Sequence, residues 1–191
     1  MSDPAATLPC TVVVVVGTDH HPFDRLVGWA DQWCASQIHG TVRCVVQYGT
    51  SMPPARAEGH AYVGRDDLLA LFAEARAVVC HAGPSTIIEA VRHDRVPFVV
   101  PRAPQLGEHV DGHQQHFAEV MRAKGLIRLV RSRDELVAGL DAELAATAPT
   151  PLAVELPEPA VAALALGEQV ATLLDRGPSR RLRVLRRIGR R

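Results

Sequence analysis

Residues 77–115 constrain the fold of this chain more than any other stretch of its sequence. They begin with a short apolar run at 78–80, which predicts a buried strand, and small and turn-forming residues follow at 81–86. Residues 87–91 continue as a helix, and a second apolar run at 96–100 ends at Pro101. A strand, a tight turn, a helix and another strand in this order indicate a parallel α/β sheet.

The turn between the first strand and the helix has the composition of an anion-binding site. The first N–H groups of a helix have no partner inside it and point at whatever lies above the preceding strand. Gly83 lets a ligand approach the backbone, and the hydroxyls of Ser85 and Thr86 can donate to phosphate oxygens. His81 offers a further donor, and Glu89, one turn deeper, can accept hydrogen bonds from a ribose diol. These residues predict a site for a nucleotide diphosphate.

The same residues resemble the signature of a known family. The pattern His81-x-Gly83-x-Ser85-x-x-x-Glu89, followed by a distal His113-Gln114, is similar to the donor-binding signature of GT-B glycosyltransferases and, in detail, to the C-terminal domain of glycosyltransferase family 28. The resemblance extends above all to small soluble subunits that form half of a UDP-sugar transferase. These are the subunit of the dolichol-linked UDP-N-acetylglucosamine transferase and its bacterial exopolysaccharide counterparts, which the segment 107–114 resembles most.

The resemblance implies an activity and several residue roles. The chain would be the donor-binding subunit of an inverting enzyme that moves a hexose-type sugar from a UDP-sugar to a lipid-linked acceptor, together with a membrane-associated partner subunit. Gly17 and Thr18 would correspond to the phosphate-side loop of the family, although larger relatives have a glycine-rich run there. His113 and Gln114 would hold the sugar hydroxyls. Family members generally need no metal, because helix N-termini and side chains stabilise the leaving diphosphate.

The rest of the chain alternates between strands and helices. Further strands are expected at 11–16, 41–47, 61–63 and 126–130, and helices at about 23–39, 66–75, 133–146 and 160–175, with a loop and then a helix over 108–124. Ser132 and Glu135 resemble a capping box, and His21 and Asp24 are expected to cap the first helix. The fold class is therefore α/β, with a single Rossmann-like doubly wound parallel sheet equivalent to the C-terminal half of a GT-B enzyme. Ligands of such sheets bind at the carboxyl ends of the strands.

The charged residues are distributed unevenly between the main part of the chain, or body, and its C-terminal residues, or tail. Lysine plus arginine and aspartate plus glutamate each number 21, but eight of the arginines lie within 176–191, so the rest of the chain carries a formal charge of −8. An acidic body argues against nucleic acid as the main partner. We expect a donor-binding domain at 1–175 and a basic tail at 176–191. The tail is interpreted either as an amphipathic segment for an anionic membrane surface or as a solvated terminus.

Two histidine-containing segments have competing interpretations. His20, at the expected ligand edge, is a candidate for charge stabilisation or proton transfer, because its ordinary pKa lies near neutrality. Asp111, His113 and His116 suggest a metal site, but their spacing matches no established one, so no metal is predicted.

The four cysteines have no metal-binding spacing and are expected to be buried thiols in a reducing cytosol. The N-terminal residues lack the basic region of a signal peptide, so a cytoplasmic location, peripheral to the membrane through the partner, is expected. A non-catalytic module that binds a nucleotide sugar remains the main alternative. A two-domain epimerase and a nicotinamide dehydrogenase are disfavoured, the first by chain length and the second because Gly17 does not open a G-x-G-x-x-G pattern.

Overall fold

The structure, a computed structural model, describes residues 10–38 and 40–152, and its centre is one parallel sheet. The strands are β1 (Cys10–Val15), β2 (Val42–Gln47), β3 (Glu58–His60), β4 (Ala77–Cys80), β5 (Phe98–Val99) and β6 (Arg128–Leu129). They lie in the order β3-β2-β1-β4-β5-β6, and every neighbouring pair is parallel. The strand order turns back at β1 and β4, which confirms the predicted Rossmann-like α/β fold.

Helices connect the strands. They are α1 (Asp24–Ser36), α2 (Arg65–Glu74), α3 (Pro84–Arg92), α4 (His113–Ala123) and α5 (Arg133–Ala145), with a 3₁₀ turn at Pro104–Leu106. Helix α1 contacts α5, and α2 contacts α3. Since a parallel sheet needs a crossover between successive strands, this arrangement brings the carboxyl ends of all strands to one edge of the sheet.

The centre of the sheet is fully buried because β1 has a strand on each side. Val12 to Val16 are each at most 1% exposed. The core beside these valines contains large side chains from the flanking elements, including Phe23, Leu26 and Trp33. A continuous apolar run is the pattern that a strand buried on both faces requires, and for this reason β1 was predictable from sequence.

Several predicted boundaries differ from the structure. The third strand is β3 at 58–60 rather than 61–63, and all three of its residues are exposed. An exposed edge strand has no apolar pattern, and the apolar residues that follow β3 suggested the wrong position. The runs at 96–100 and 126–130 contribute only the two-residue ladders of β5 and β6.

Of the two predicted helix caps, the one at α1 is absent and the one at α5 forms in part. Phe23 is the residue before α1, and no side chain among the described residues caps that helix; Asp24 Oδ1 instead accepts a hydrogen bond from Met52 N at 2.8 Å, in the loop after β2. At α5, Ser132 Oγ accepts from Glu135 N at 3.2 Å, but the Glu135 carboxylate accepts from Arg131 N rather than from Ser132. The capping box is therefore half formed.

The predicted helix at 160–175, the basic tail at 176–191 and the domain boundary between them lie outside the described residues. Within 10–38 and 40–152, no helix has both the length and the apolar character needed to cross a bilayer. The four cysteines are free thiols. Cys44 and Cys80 are buried as expected, whereas Cys34 is partly buried and Cys10 is exposed, which contradicts the expectation that all are buried.

Candidate functional site

The carboxyl edge of the sheet brings most of the predicted site residues together around one cavity. This cavity has a volume of about 300 Å³ and lies above β1, β2 and β4, against α2 and α3. Six of the predicted residues line it: Gly17, Thr18, His81, Ser85, Thr86 and Glu89. Gly83 is the N-cap residue of α3 beside it. The residues that sequence reasoning placed at a phosphate and ribose site therefore share one space.

The remaining wall of the cavity was not predicted. It consists of residues from the ends of β2 and β3 and from the first turns of α2, namely Gln47, Tyr62, Val63, Arg65, Leu68, Leu69 and Phe72. Gln47 Oε1 accepts a hydrogen bond from Val63 N at 3.1 Å, which ties the loop after β3 to the end of β2. The sequence feature that could have indicated this wall is the apolar segment 61–63, which was interpreted as a strand.

The start of α3 offers unpaired backbone donors to the cavity. Pro84 occupies the first turn of the helix, and no side chain caps it. The first-turn amides, including those of Ser85 and Thr86, therefore have no partner inside the helix. Such a terminus attracts an anion through both its free N–H groups and the helix dipole.

The imidazole of His81 lies between two glycines. A Cβ added to Gly17 would lie 2.6 Å from His81 Cε1, and one added to Gly83 would lie 2.1 Å from His81 Nε2. Gly17 also has a φ of +83°, which disfavours any other residue. Both glycines are thus explained by the space that the His81 ring occupies, a physical reason different from the ligand approach expected from sequence.

The His81 ring is neutral at physiological pH. Burial lowers its pKa to about 4, and the positive charge of Arg102 acts in the same direction. His81 Nδ1 lies 3.4 Å from the carbonyl oxygen of Val15, and this contact favours a proton on Nδ1 because a carbonyl can only accept. In that tautomer Nε2 is an acceptor, so the phosphate-donor role expected for His81 requires the other tautomer.

Glu89 lies at the wall of the cavity with two arginines beside it. Its Oε1 is 3.4 Å from Arg65 Nη2 and 3.4 Å from Arg92 Nη1, and its side chain is 24% exposed. Both contacts are long, and both arginines are exposed. The carboxylate therefore keeps acceptor capacity toward the cavity.

His113 and Gln114 do not line this cavity. Both lie in the first turn of α4, where the His113 side chain is about half exposed and Gln114 is buried. The side-chain oxygen of Gln114 has no hydrogen-bond partner among the described residues. His113 is therefore the more accessible of the two predicted sugar contacts.

The His20 side chain is exposed to solvent, and the neighbouring His21 imidazole is more buried. The His20 side chain is 84% exposed, with Nδ1 3.5 Å from Asp19 Oδ1. His21 Nδ1 lies 2.7 Å from the same oxygen, and His21 N donates to it at 2.8 Å. Although burial raises the pKa of Asp19, these hydrogen bonds from His21 outweigh it and lower that pKa to about 2. Asp19 is thus an ionised partner for the surrounding histidines.

A buried arginine that the sequence analysis overlooked joins two loops of this edge. Arg102 is 1% exposed and donates to the carbonyl oxygens of Val16 at 2.8 Å, His21 at 2.7 Å and Glu108 at 2.9 Å. Burial lowers its pKa, which the negative charges of Asp19 and Glu108 counteract. The sequence feature that could have identified Arg102 is its position directly after a buried apolar run and Pro101.

Glu108 provides a second connection, which joins the loop after β5 to α1. Its buried carboxylate accepts from Ala103 N at 2.7 Å and from both Nε and Nη2 of Arg25, at 2.8 and 2.7 Å. The loop after β5 is therefore attached to α1 as well as to β1. A bidentate, largely buried pair of this kind fixes geometry more firmly than an exposed ion pair.

The histidines of the loop after β5 and of α4 are not arranged as predicted. His109, Asp111 and His113 have side-chain ligand atoms within 4.8 Å of one another, whereas His116 lines a separate cavity of about 640 Å³. Burial lowers the pKa of His109, and the neighbouring His113 has the same effect. The larger cavity is lined by none of the nine predicted donor-site residues.

Comparison with known proteins agrees with the fold described above. Residues 11–151 match the glycosyltransferase family 28 C-terminal domain. None of the curated protein sequences compared with the chain matches it.

Three solved structures show the same fold. The glycotransferase of kitacinnamycin is 18% identical with a TM-score of 0.56, covering 96% of this chain and 44% of its own. The calicheamicin glycosyltransferase CalG4 is 15% identical with a TM-score of 0.54, covering 94% and 45%. The solution structure of ALG13 is 17% identical with a TM-score of 0.50, covering 82% and 94%. The chain thus spans less than half of the first two proteins and nearly all of the third.

The packing of His81 against the glycines predicts a stability effect. Gly83→Ala should lower the free energy of unfolding by about 1–3 kcal/mol, because the new methyl group overlaps the imidazole. Urea denaturation of the purified chain measures this change. Gly28→Ala is the matched control, since its Cβ would meet nothing within 4 Å. In a His81→Ala background Gly83→Ala should cost less than about 0.5 kcal/mol, and an undiminished cost there would contradict the proposed overlap.

The lowered pKa of His81 predicts a pH dependence of stability. The unfolded chain takes up this proton near pH 6.5 and the folded chain only near pH 4, so stability falls as pH falls through this window. Between about pH 7 and pH 5, the free energy of unfolding of the wild type should fall by roughly 2 kcal/mol more than that of His81→Gln. Denaturation curves at both pH values measure the difference. Parallel changes in the two proteins would show that His81 is not buried in its neutral form.

Proposed function

The chain belongs to the glycosyltransferase family 28 C-terminal domain family, and from this premise we propose that it binds the UDP-sugar donor of a glycosyl transfer reaction. The observation that carries the proposal is the cavity of about 300 Å³ at the carboxyl edge of the sheet. In this cavity an uncapped helix N-terminus, two hydroxyls and a carboxylate converge on a space next to an apolar wall.

The cavity chemistry suits each part of a nucleotide diphosphate. The diphosphate would lie over the start of α3, where the amides and hydroxyls of Ser85 and Thr86 donate and Thr18 approaches from the loop after β1. The ribose diol would donate to Glu89. The flat base would lie against Tyr62 and the apolar side chains of the opposite wall.

The sugar would extend from the diphosphate toward the loop that leads into α4. His113 is exposed there and is the first candidate to contact a sugar hydroxyl. Gln114, whose side-chain oxygen lacks a partner, would contribute after a small movement of the first turn of α4. Glucose, glucuronic acid and N-acetylglucosamine are all compatible with these groups.

The reaction that we propose is an inverting transfer to a lipid-linked acceptor, in glycan or exopolysaccharide synthesis. The acceptor hydroxyl attacks the anomeric carbon in line with the bond to the diphosphate, and a base takes its proton. The helix N-terminus and the hydroxyls stabilise the leaving diphosphate, so no metal is required for this step. His20 is exposed enough to meet an acceptor and remains a candidate for proton transfer.

A second, membrane-associated subunit would complete the site. The chain spans 44% and 45% of two glycosyltransferases of its fold, so the matched region is less than half of each of those proteins. The partner would bring the lipid-linked acceptor to a chain that works in the cytoplasm at the inner face of the membrane. The basic residues 176–191 would add attraction to an anionic lipid surface.

The competing function is a non-catalytic module that binds a nucleotide sugar. The observation that favours it is the cavity itself, because the helix N-terminus, hydroxyls and carboxylate described there account for binding a nucleotide sugar without any transfer. The two functions share the donor cavity and differ only in the reaction.

Removal of the Glu89 carboxylate should weaken nucleotide binding. Glu89→Ala should raise the dissociation constant for UDP about tenfold or more, because hydrogen bonds from the ribose to a charged acceptor are lost. Isothermal titration calorimetry with UDP measures the change. Glu119→Ala is a matched control, since Glu119 also pairs with two arginines but lies on α4 away from the cavity. Equal UDP affinity in Glu89→Ala and the wild type would contradict the donor site.

Radiolabelled sugar transfer separates the two proposed functions. The chain is assayed with UDP-sugars and a lipid-linked acceptor, alone and with a membrane fraction that contains its partner. Transfer that requires both components, and that continues in EDTA, is the expected result. UDP binding without transfer under either condition would instead identify the module.

A further inference from the structure

A cluster of ligand-type side chains lies at the edge of the sheet, outside the donor cavity. We call His109, Asp111 and His113 the histidine cluster; they are alternate residues of the segment that leads into α4. His109 Nδ1 lies 3.7 Å from Asp111 Oδ1, and His113 Nδ1 contacts the same carboxylate oxygen. One ligand atom from each residue therefore falls within 4.8 Å of the others, which is close enough to surround a single ion.

The second nitrogen of His109 has a partner of its own. Its Nε2 lies 3.4 Å from Asp19 Oδ2, on the loop after β1. A carboxylate at this position favours the proton on Nε2 and leaves a lone pair on Nδ1, which accepts a long hydrogen bond from Asp111 N at 3.4 Å and lies beside the Asp111 carboxylate. Metal-binding histidines commonly have such a carboxylate behind them, because it fixes the tautomer and the orientation of the ring.

The loops that carry these residues are held in place by the buried side chain of Arg102. Arg102 donates to the backbone carbonyls of His21 and Glu108, which lie two residues after Asp19 and one residue before His109. The His109 side chain is 11% exposed, whereas those of Asp111 and His113 are 59% and 52% exposed. The cluster thus has a fixed inner side and an outer side open to solvent.

Helix capping accounts for only part of this arrangement. Asp111 Oδ1 accepts from His113 N at 3.1 Å, a common contact at the start of a helix. That contact explains why Asp111 and His113 are neighbours. His109 is held separately, by the contact of Nε2 with Asp19 and by the long hydrogen bond from Asp111 N to Nδ1, which a bound ion would replace.

We propose that His109, Asp111 and His113 bind one divalent transition-metal ion of the zinc type, with Asp19 as the residue that positions His109. Two imidazoles and one carboxylate suit Zn²⁺, Co²⁺ or Ni²⁺ rather than Mg²⁺ or Ca²⁺, which prefer oxygen ligands. Three protein ligands with an open outer side leave a further coordination position for water or a ligand. The ion is not a cofactor of the proposed transfer; because His113 is also the proposed sugar contact, a bound ion and the sugar would compete for that side chain.

Cobalt titration of the full chain tests the proposal. Tag-free protein is stripped of metal and titrated with Co²⁺, and visible absorption reports the coordination. One equivalent should give d–d bands that added Zn²⁺ removes and added Mg²⁺ does not. His109→Ala and His113→Ala should each weaken Co²⁺ binding at least about tenfold, and Asp19→Asn should weaken it by about 10–100-fold.

Two control variants test whether Co²⁺ binding depends on His109 and His113 rather than on other histidines. His116→Ala should bind Co²⁺ as the wild type does, because His116 lies in the separate 640 Å³ cavity. His20→Ala should also bind normally, although Asp19, His20 and His21 form a second group of ligand atoms. Absence of the absorption bands, their persistence in His109→Ala, or their loss in His20→Ala would each overturn the proposal. Equal melting temperatures of the metal-free proteins verify that all variants fold.

Discussion

The buried guanidinium of Arg102 is the interaction on which the functional edge of this protein depends. Burying a charge is costly unless hydrogen bonds and opposite charges compensate for it. Here three backbone carbonyls accept from it, its carbon lies 4.8 Å from the centre of the Phe23 ring, and the carboxylates of Asp19 and Glu108 are close enough to counter its charge. The compensation comes from two loops far apart in sequence, so neither loop can move without exposing an unpaired group.

This constraint couples the two candidate sites. The loop after β1 contains Gly17, which makes room for His81, and Asp19, which lies behind His109. The loop after β5 contains Glu108, which ties Ala103 N to Arg25, and continues into the histidine cluster. The donor cavity and the histidine cluster thus lie on either side of one buried network. A substitution in this network should therefore alter both candidate sites.

The sequence predicted those parts of the structure that local pattern determines. The strand at β1 and the turn into α3 follow from continuous apolar residues and from turn chemistry, and both were predicted almost to the residue. The edge strand β3 was misplaced because its exposed residues carry no periodicity. Arg102 was overlooked, and His109 was passed over in favour of His116, because partners 86 and 90 residues away decide the direction of a side chain in an irregular loop. Only the assembled sheet brings those partners together.

The charge distribution of the cavity of about 300 Å³ bears on the partner subunit that we propose. Among the residues that line it, Arg65 is the one permanent cation, and that cation already lies beside Glu89. His81 is neutral because burial lowers its pKa to about 4. A diphosphate in this cavity would therefore be met by helix amides and hydroxyls, which bind it in the ground state but supply no net positive charge. We infer that charge compensation of the leaving group beyond these dipoles, like the acceptor itself, comes from the face that closes over the cavity.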